Sequence, residues 1–375
     1  MRIGILKDKE DSRVALLPDA VLALTKLNVS IMLEASAGVG AYVSDKEYEE
    51  VGVTIGSEKE VIRDSEILLK VEPVSKDLAA KLKEGQVVVS VMNPFFNTEL
   101  VKLFKERKIT TFGMDIIPRT TRAQAMDVLS SMATVAGYKA VLDAAARLPK
   151  FFMMFMSAAG TIRPAKVLVL GAGVAGLQAI ATSRKLGAVV EVFDVRAAVK
   201  EEVMSLGGRF IEVEGAKDDI SAGGYAVEQT AEFKQKQQQM IQDHAIGSHV
   251  VICTAQIPGR KAPLLITKDT VGKMNPGSVV IDLAASTGGN CELTKNNEAI
   301  IYDGVTVVGN SAYPSDMPSD ASRMFGKNLI NFLTLIIDQD GNLNLDFEDE
   351  IIAGTCLTHD NVIVNERVKE FINNK

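Results

Sequence analysis

The stretch AKVLVLGAGVAGLQAIATSRKLGAVVEVFDVR, residues 165–196, has the pattern of an apolar strand, a glycine turn, a helix and a second strand. Its turn contains Gly171, Gly173 and Gly176 in G-x-G-x-x-G spacing. In such a unit the first glycine permits a tight turn, the second lets a pyrophosphate approach, and the third lets helix and strand pack closely. The stretch therefore predicts a dinucleotide-binding unit with phosphates at the helix N-terminus. The alternative is an α/β fold that uses the glycines only to turn the chain.

Asp194 ends the second strand of this unit. It lies at about the 20-residue interval where an acidic side chain accepts hydrogen bonds from the adenosine ribose. Its charge would also repel a 2′-phosphate, which favours NAD over NADP. Arg196 follows two residues later and weakens this discrimination, because an arginine can accommodate the phosphate. The sequence predicts NAD(H) as the nucleotide and leaves some binding of NADP open.

Strands and helices alternate through the rest of the chain, a pattern typical of a parallel sheet covered by helices on both faces. A helical pattern from about residue 133 can carry the chain out of a first domain, and SRMFGKNLINFLTLIID at 322–338 can bring it back. We predict the α/β class with two Rossmann-like, doubly wound parallel-sheet domains, the first discontinuous. The first domain is predicted at 1–131 plus 320–375, and the second at 132–319.

Composition excludes several classes of partner. The 375 residues carry a formal net charge of −7, so neither nucleic acid nor an anionic membrane surface is indicated. The longest apolar run, FFMMFMSAAG at 151–160, is about half the roughly 20 residues that cross a bilayer, so no direct membrane insertion is expected. We interpret its Met153, Met154 and Met156 as core residues. Three widely spaced cysteines favour a reducing compartment over a disulfide framework or a metal cluster.

A second informative stretch is IPRTTRAQAMDVLSS, residues 117–131. Connections are usually short and merely polar, but this one concentrates several kinds of donor and acceptor between an apolar strand and an apolar helix. A guanidinium offers a rigid fork of donors, an amide offers one group of each kind, and a carboxylate accepts. The stretch predicts a loop that grips a ligand. The alternative is a plain helix N-terminus in which Asp127 is an acid favoured by the helix dipole.

Histidine chemistry is not indicated. Most dehydrogenases of alcohols or amino acids need a general acid or base near the carbon that loses hydride. The three histidines are His244, His249 and His359, and none falls at a strand end of the first domain where a substrate would meet a nicotinamide. We interpret them as exposed and incidental.

Several motifs now carry a family resemblance. The stretches PRTTRAQAMDVLSSMATVAGYKAV, TAQIPGRKAPLLIT and KMNPGSVVIDLAASTGGNCE, with the glycine-turn unit, resemble the NAD(H)-binding component of proton-translocating NAD(P) transhydrogenase. The similarity runs over nearly the whole chain, and the Arg-x-x-x-x-Gln-x-x-Asp loop is its most specific element. The resemblance implies an oxidoreductase subunit that binds NAD(H) and passes hydride directly to NADP(H) chemistry on a partner component.

The resemblance also implies roles for particular residues. Catalytic groups would be Arg119, Gln124 and Asp127, which orient the nicotinamide and its ribose, with Ser130 bonding the carboxamide. Thr120 and Thr121 belong to the same cofactor-binding loop. Further cofactor-binding positions would be Ala172, Gly173 and Val174 at the pyrophosphate, Asp194, Val195 and Arg196 at the adenosine, and Gly224, Gln237 and Gln256 around the cofactor. Tyr225 would lie near the tip of a mobile loop, 221–229, that closes over the nucleotide.

Alanine dehydrogenase shares the architecture and is the rival interpretation. Its family has a catalytic histidine after the strand that corresponds to VVVSVM and an aspartate ahead of a Gly-Gly pair. This chain has Asn93 and Ser286 at those places. Direct transfer between two nicotinamides needs neither acid nor base, so the absence fits a transhydrogenase. Arg13 and Lys70 match keto-acid positions of the rival and keep it open, with inherited or salt-bridge roles as the alternative.

The resemblance implies partners as well. It predicts membrane-spanning and NADP(H)-binding transhydrogenase components, a homodimer, and a cytoplasmic location peripheral to the inner membrane. A third interpretation is a non-catalytic NAD-sensing module that regulates a partner.

Overall fold

The computed structural model describes residues 1–212, 231–257 and 259–374. Two compact units contain Met1–Met132 with Pro314–Lys375, and Ala133–Tyr313. The chain returns to the first unit at 314, earlier than the expected residue 320. One reason is that the Ser315 hydroxyl accepts a 2.8 Å hydrogen bond from the backbone N–H of Ser12.

A mostly parallel sheet forms the centre of the first unit. In spatial order, its eight described strands, numbered along the chain, are β17 (Val362–Ile363), β16 (Cys356–His359), β6 (Thr110–Gly113), β5 (Val87–Ser90), β4 (Ile67–Leu69), β1 (Arg2–Ile5), β2 (Ser30–Glu34) and β3 (Thr54–Gly56). The strands from β6 to β3 are parallel, whereas β16 and β17 add antiparallel pairs at one edge. The strand order reverses at β1, so a crevice is expected where β1 and β4 end.

Helices connect these strands. In the described part of the first unit they are α1 (Pro18–Leu24), α2 (Asp45–Glu49), α3 (Glu58–Asp64), α4 (Lys76–Ala79), α5 (Thr98–Glu106), α11 (Pro318–Ile336), α12 (Glu350–Thr355) and α13 (Glu366–Asn373). The helix α6 (Val128–Arg147) begins in the first unit and continues in the second.

The second unit contains a sheet of the same kind. In spatial order its seven described strands are β11 (Arg209–Phe210), β10 (Val189–Phe193), β9 (Lys166–Leu170), β12 (Val250–Cys253), β13 (Val279–Asp282), β15 (Val305–Val308) and β14 (Ala299–Tyr302). Only the β14–β15 pair among them is antiparallel. The described helices are α7 (Val174–Lys185), α8 (Lys200–Ser205), α9 (Ala231–Ile246) and α10 (Lys268–Lys273), and a separate hairpin pairs β7 (Phe155–Ser157) with β8 (Gly160–Ile162).

Both faces of each sheet are buried. In β9, Val167 and Val169 join one cluster of buried apolar side chains. Their neighbours Leu168 and Leu170 join another cluster on the opposite face. Because successive side chains of a strand point to opposite faces, an unbroken apolar run is what a doubly covered strand needs. The predicted fold class is confirmed, with antiparallel additions at the sheet edges.

No helix of the described residues is long and apolar enough to span a membrane.

Candidate functional site

The glycine turn of the second unit joins β9 to α7, and its three glycines have different structural reasons. Gly171 has a φ of +102°, a left-handed conformation that favours glycine. A Cβ on Gly176 would lie 1.9 Å from the Gly171 carbonyl oxygen, so only glycine fits there. At Gly173, no atom of the described residues lies within 4 Å of where a Cβ would be. The turn is therefore closed on the protein side and open at Gly173, the position where a pyrophosphate would approach.

The N-terminus of α7 is suited to an anion. Within the described residues, no side chain caps the helix at Gly173, and its first turn contains no acidic residue. Arg184 and Lys185 occupy its last turn. The first N–H groups and the positive end of the helix dipole are thus directed at the opening of the turn.

Asp194 follows β10 and is bound to the glycine turn. Its Oδ2 accepts a 2.7 Å hydrogen bond from the Ala172 N–H. Arg196 donates three more bonds to the same carboxylate, from its backbone N–H, Nε and Nη2, at 2.8 to 3.0 Å. The hydrogen bonds to Asp194, together with its charge, raise the pKa of the Arg196 guanidinium against the effect of partial burial. These four bonds use the acceptor sites of Asp194, so a ribose hydroxyl could bind there only if a donor moved away.

The floor of the turn comes from the end of β12. The Thr254 hydroxyl lies 3.0 Å from the Gly171 carbonyl oxygen and donates to it. A Cβ on Gly171 would lie 2.5 Å from this hydroxyl. Asn290, fully buried, then holds Ala255 through bonds to both its N–H and its carbonyl. Neither Thr254 nor Asn290 was predicted from the sequence; a threonine directly after an apolar strand was the one available signal for Thr254.

The remaining predicted positions of the second unit lie at different depths. Ala172 is buried, Val174 and Val195 are exposed, and Gln237 is half-buried on α9. Gln256 is exposed and donates from Nε2 to the Leu283 carbonyl oxygen at 2.8 Å. Gly224, Tyr225 and the predicted mobile loop 221–229 lie outside the described residues.

The polar loop of the first unit, residues 117–127, follows β6 and leads into α6. Arg119, Thr121 and Gln124 are exposed. The hydroxyl of Thr120 is buried and meets no hydrogen-bond partner among the described residues. A buried hydroxyl of this kind can accept a bond from a ligand or donate one to it.

Asp127 caps α6. Its Oδ1 accepts from the Ser130 N–H at 2.9 Å, and its Oδ2 accepts from the Ser130 hydroxyl at 2.6 Å. This is the geometry of a helix N-cap, so the structural alternative considered for Asp127 describes a real contact. The carboxylate does not bond Arg119 in these contacts. Whether Asp127 also orients a nucleotide stays a prediction.

A cluster of buried charges lies where β1 and β4 end. Lys70 donates to Asp8, and both side chains are nearly buried. Arg13 donates from Nε to Asp11 at 2.9 Å and from Nη2 to Glu72 at 2.7 Å. Burial raises the pKa of Asp8, with partial compensation by Lys70. Both cations are therefore bound by the protein's own carboxylates.

Two family descriptions and several known proteins match this chain. Residues 4–136 match "Alanine dehydrogenase/PNT, N-terminal domain", and residues 140–366 match "Alanine dehydrogenase/PNT, C-terminal domain". An NAD(P) transhydrogenase subunit alpha protein of Rhodospirillum rubrum is 44% identical over 376 residues, which cover 97% of this chain and 98% of that protein. This chain belongs to the NAD(P) transhydrogenase alpha-subunit family.

Solved structures agree with this assignment. The crystal structure of transhydrogenase from Sinorhizobium meliloti matches with a TM-score of 0.89 at 40% identity, over 97% of this chain and 100% of that one. An L-alanine dehydrogenase structure matches with a TM-score of 0.81 at 20% identity, over 100% of this chain and 99% of that one. The second likeness shows a shared fold. The predicted resemblance to transhydrogenase is confirmed.

The two rival catalytic positions carry no ionisable group in this alpha-subunit chain. Asn93, with a φ of +47°, follows β5, and its N–H donates to Asp115 at 2.9 Å. Ser286 is exposed in a one-turn 3₁₀ helix, Ala285–Thr287, after β13. Neither side chain can act as a general acid or base near neutral pH.

The interpretation of the histidines as exposed was wrong. All three are half-buried, and each ring makes a hydrogen bond: His244 with Glu191 at 2.7 Å, His249 with the Lys166 N–H at 2.9 Å, and His359 with Thr110 at 3.0 Å. His359 also ends a strand of the first unit, β16. It lies beside the first residue of β6, at the opposite end of that strand from the polar loop.

The interpretation of the methionines as core residues was also wrong. Met153, Met154 and Met156 are 52%, 58% and 70% exposed. They lie on or beside the β7–β8 hairpin, which stands apart from the seven-stranded sheet of the described residues. A two-stranded hairpin has no second layer against which both of its faces can be buried.

Proposed function

We propose that this chain is the NAD(H)-binding subunit of a proton-translocating NAD(P) transhydrogenase, and that it holds NADH while hydride passes directly to NADP⁺ on a partner component. The observation that carries the proposal is the glycine turn, closed at Gly171 and Gly176 and open at Gly173. Membership of the alpha-subunit family supports the same conclusion.

The residues of the second unit fit a dinucleotide. Backbone N–H groups at the uncapped start of α7 would hold the pyrophosphate. Asp194 and Arg196 would face the adenosine ribose, and Gln256 would lie beside the cofactor. Bound NADH supplies a hydride at its nicotinamide ring. The work of this chain is to hold that ring in place.

The loop of the first unit would orient the nicotinamide. Arg119 and Gln124 present exposed donors and an acceptor, and the buried hydroxyl of Thr120 meets no protein partner among the described residues. Asp127 and Ser130 form a rigid pair at the start of α6. Reactions of this type depend on alignment at about 3 to 3.5 Å between the reacting atoms, so rigid positioning is the contribution expected of such a loop.

The absence of acid and base groups supports direct transfer. Reduction of a keto acid requires a proton as well as a hydride, whereas exchange between two nicotinamides does not. Asn93 and Ser286 cannot move that proton. Arg13 and Lys70 are bound by Asp11, Glu72 and Asp8, so neither guanidinium nor ammonium is left for a substrate carboxylate.

Transfer requires a second nucleotide, which we place on an NADP(H)-binding partner component. Membrane-spanning components would hold the subunit at the cytoplasmic face of the inner membrane and would translocate the proton. We propose that the subunit is a homodimer.

The test is a hydride-exchange assay. NADH and an absorbance-shifted NADP⁺ analogue are mixed with this chain alone, with an NADP(H)-binding transhydrogenase component alone, and with both. Exchange is expected only when both proteins are present. An NAD-sensing module would bind NADH without any exchange, which would refute the proposal.

Glycine variants test the observation itself. Gly173→Ala adds a methyl group into space that the described residues leave open, so it should fold normally and still weaken NADH binding at least about tenfold. Gly247→Ala is the control, because its Cβ would also meet only ordinary contacts, at 3.7 Å or more. NADH titrations by calorimetry provide the measurement. Equal affinities for the two variants would contradict the assignment of the turn.

A further inference from the structure

We propose that Asn328 and Asn331 of α11 are positioning residues for hydride transfer, because they fix the loop that carries Gln124 and Asp127. The inference rests on the proposed function of that loop. The two asparagines touch neither nucleotide in this proposal, and they act only through the loop backbone.

Both asparagines bind one carbonyl group. Asn328 donates from Nδ2 to the Ala125 carbonyl oxygen at 2.8 Å, and Asn331 donates to the same oxygen at 2.9 Å. They are three residues apart on one helix and therefore share a face. Ala125 is the middle residue of a one-turn 3₁₀ helix, Gln124–Met126. Two donors on its carbonyl fix the tilt of the peptide plane that follows Gln124 by one residue.

The orientation of the Asn328 amide is set by this contact. The side chain is buried, and its Oδ1 meets no hydrogen-bond partner among the described residues. A flipped amide would place Oδ1 against the Ala125 carbonyl oxygen, and two acceptors would repel each other. Leaving a buried acceptor unpaired costs free energy. The structure thus favours the bond to the loop over satisfaction of Asn328 itself.

Further contacts attach the same loop to the returning segment of the first unit. Arg122 forms an ion pair with Asp349, which also caps α12. Pro118 lies so close to Gly354 of α12 that a Cβ there would be 2.5 Å from Cγ of the proline. With the asparagine pair, these contacts attach three points of the loop to residues more than 200 positions later in the chain.

Downstream, Asp127 is fixed by Ser130 at the start of α6. The segment 124–127 is therefore held from both sides, by α11 at Ala125 and by α6 at Asp127. Loss of the α11 contact would leave the Gln124 side chain and the Asp127 backbone free to move relative to each other. Because misplacement by about 1 Å can slow a reaction about a hundredfold, the expected defect is in transfer and not in affinity.

The experiment compares Asn328→Ala, Asn331→Ala and the double variant in the full hydride-exchange assay with the NADP(H)-binding component. The double variant should slow exchange about tenfold to a hundredfold, while its NADH dissociation constant changes less than about twofold. Asn331→Ala removes only the more exposed of the two amides and serves if the double variant fails to fold.

Gln86→Ala is the matched control. Gln86 is a buried amide of the same unit, and it donates to two carbonyl groups, at 2.6 and 2.8 Å, away from the loop. It should lower thermal stability without slowing exchange at a temperature where it is folded. If it slows exchange as much as the asparagine variants do, the effect is general loss of structure and the inference is overturned. Unchanged exchange in the folded asparagine variants overturns it as well.

Gln124→Ala separates the inference from the proposed function. If Gln124→Ala slows exchange and the asparagine variants do not, only the anchoring role fails. If the asparagine variants slow exchange and Gln124→Ala does not, the role proposed for Gln124 fails and the anchoring role is retained.

Discussion

At Asp194, one carboxylate serves two partners. It holds the glycine turn through the Ala172 N–H and also accepts three bonds from Arg196. Residue types alone predicted an acidic ribose ligand with an arginine nearby. They could not show that the arginine neutralises the acid, because that depends on a side-chain conformation two residues along the backbone.

Arg196→Gln should sharpen the preference for NADH. Without the guanidinium, Asp194 keeps its charge and repels a 2′-phosphate, so NADPH affinity should fall at least about tenfold relative to NADH affinity. Calorimetry with both nucleotides measures the ratio. Arg209→Gln, which removes an exposed arginine paired with Glu191 in the same unit, is the control. An unchanged ratio would show that Arg196 does not lie near the 2′ position.

Asp127 allows its structural and catalytic roles to be separated. Asp127→Ala removes the cap of α6 and should cost about 1 kcal/mol of stability as well as slowing hydride exchange. Asp127→Asn keeps one acceptor oxygen for the cap and loses only the charge. If the carboxylate takes part in orienting the nucleotide, both variants slow exchange far more than they weaken NADH binding. Wild-type exchange by Asp127→Asn would leave the residue as a helix cap alone.

Asp115 predicts a pH dependence of stability. Burial raises its pKa, and the N–H groups of Met92 and Asn93 compensate only in part. A raised pKa means that its contribution to stability is fully present below about pH 4 and is lost as pH rises through the folded pKa. The free energy of unfolding of wild type minus that of Asp115→Asn should therefore fall between about pH 4 and 7, by at most about 1.4 kcal/mol per unit.

Asp338→Asn supplies a control of opposite sign for this experiment. The N–H of Asn342 lowers the pKa of Asp338, so its contribution is present above about pH 4 and is lost as pH falls through the folded pKa. Denaturant unfolding at several pH values measures both differences. Parallel curves for the two variants would contradict the assignment for Asp115.

At the scale of elements, central strands could be read from the sequence and edge strands could not. The strand β9 is an apolar run that both sheet faces require. The edge strands β3 and β14 alternate exposed and half-buried side chains over three or four residues, so their pattern is weak. The helix α11 was predicted as a returning helix, but its two loop-binding asparagines were not. Their partner lies about 200 residues earlier, and no local pattern records such a pairing.

The β7–β8 hairpin should form the self-contact of the proposed homodimer. Its exposed Met154 and Met156, with the stacked rings of Phe151 and Phe155, form an apolar surface on a hairpin too small to be stable alone. Met154→Asp and Met156→Asp should each shift the protein to a monomer in sedimentation experiments. Ile301→Asp, at a 76% exposed position on β14, should not. A monomeric wild type or dimeric variants would reject this surface.

At the scale of the whole molecule, the charged cluster predicts which reaction will not occur. With NADH, pyruvate and ammonium, the chain should show no turnover above background, because Arg13 and Lys70 are already paired and Asn93 supplies no acid or base. The same preparation must exchange hydride when the NADP(H)-binding component is added. Turnover that Arg13→Ala abolishes would instead support an amino-acid dehydrogenase.

The discontinuity of the first unit has a consequence for synthesis on the ribosome. Its strand β6 pairs with β16, which emerges more than 240 residues later, and the second unit is made in between. The second unit is continuous in sequence, so it can complete its sheet while the earlier one still exposes an unpaired strand. Nascent chains of this protein therefore carry an unfinished N-terminal half for most of translation, the interval in which chaperones are most needed.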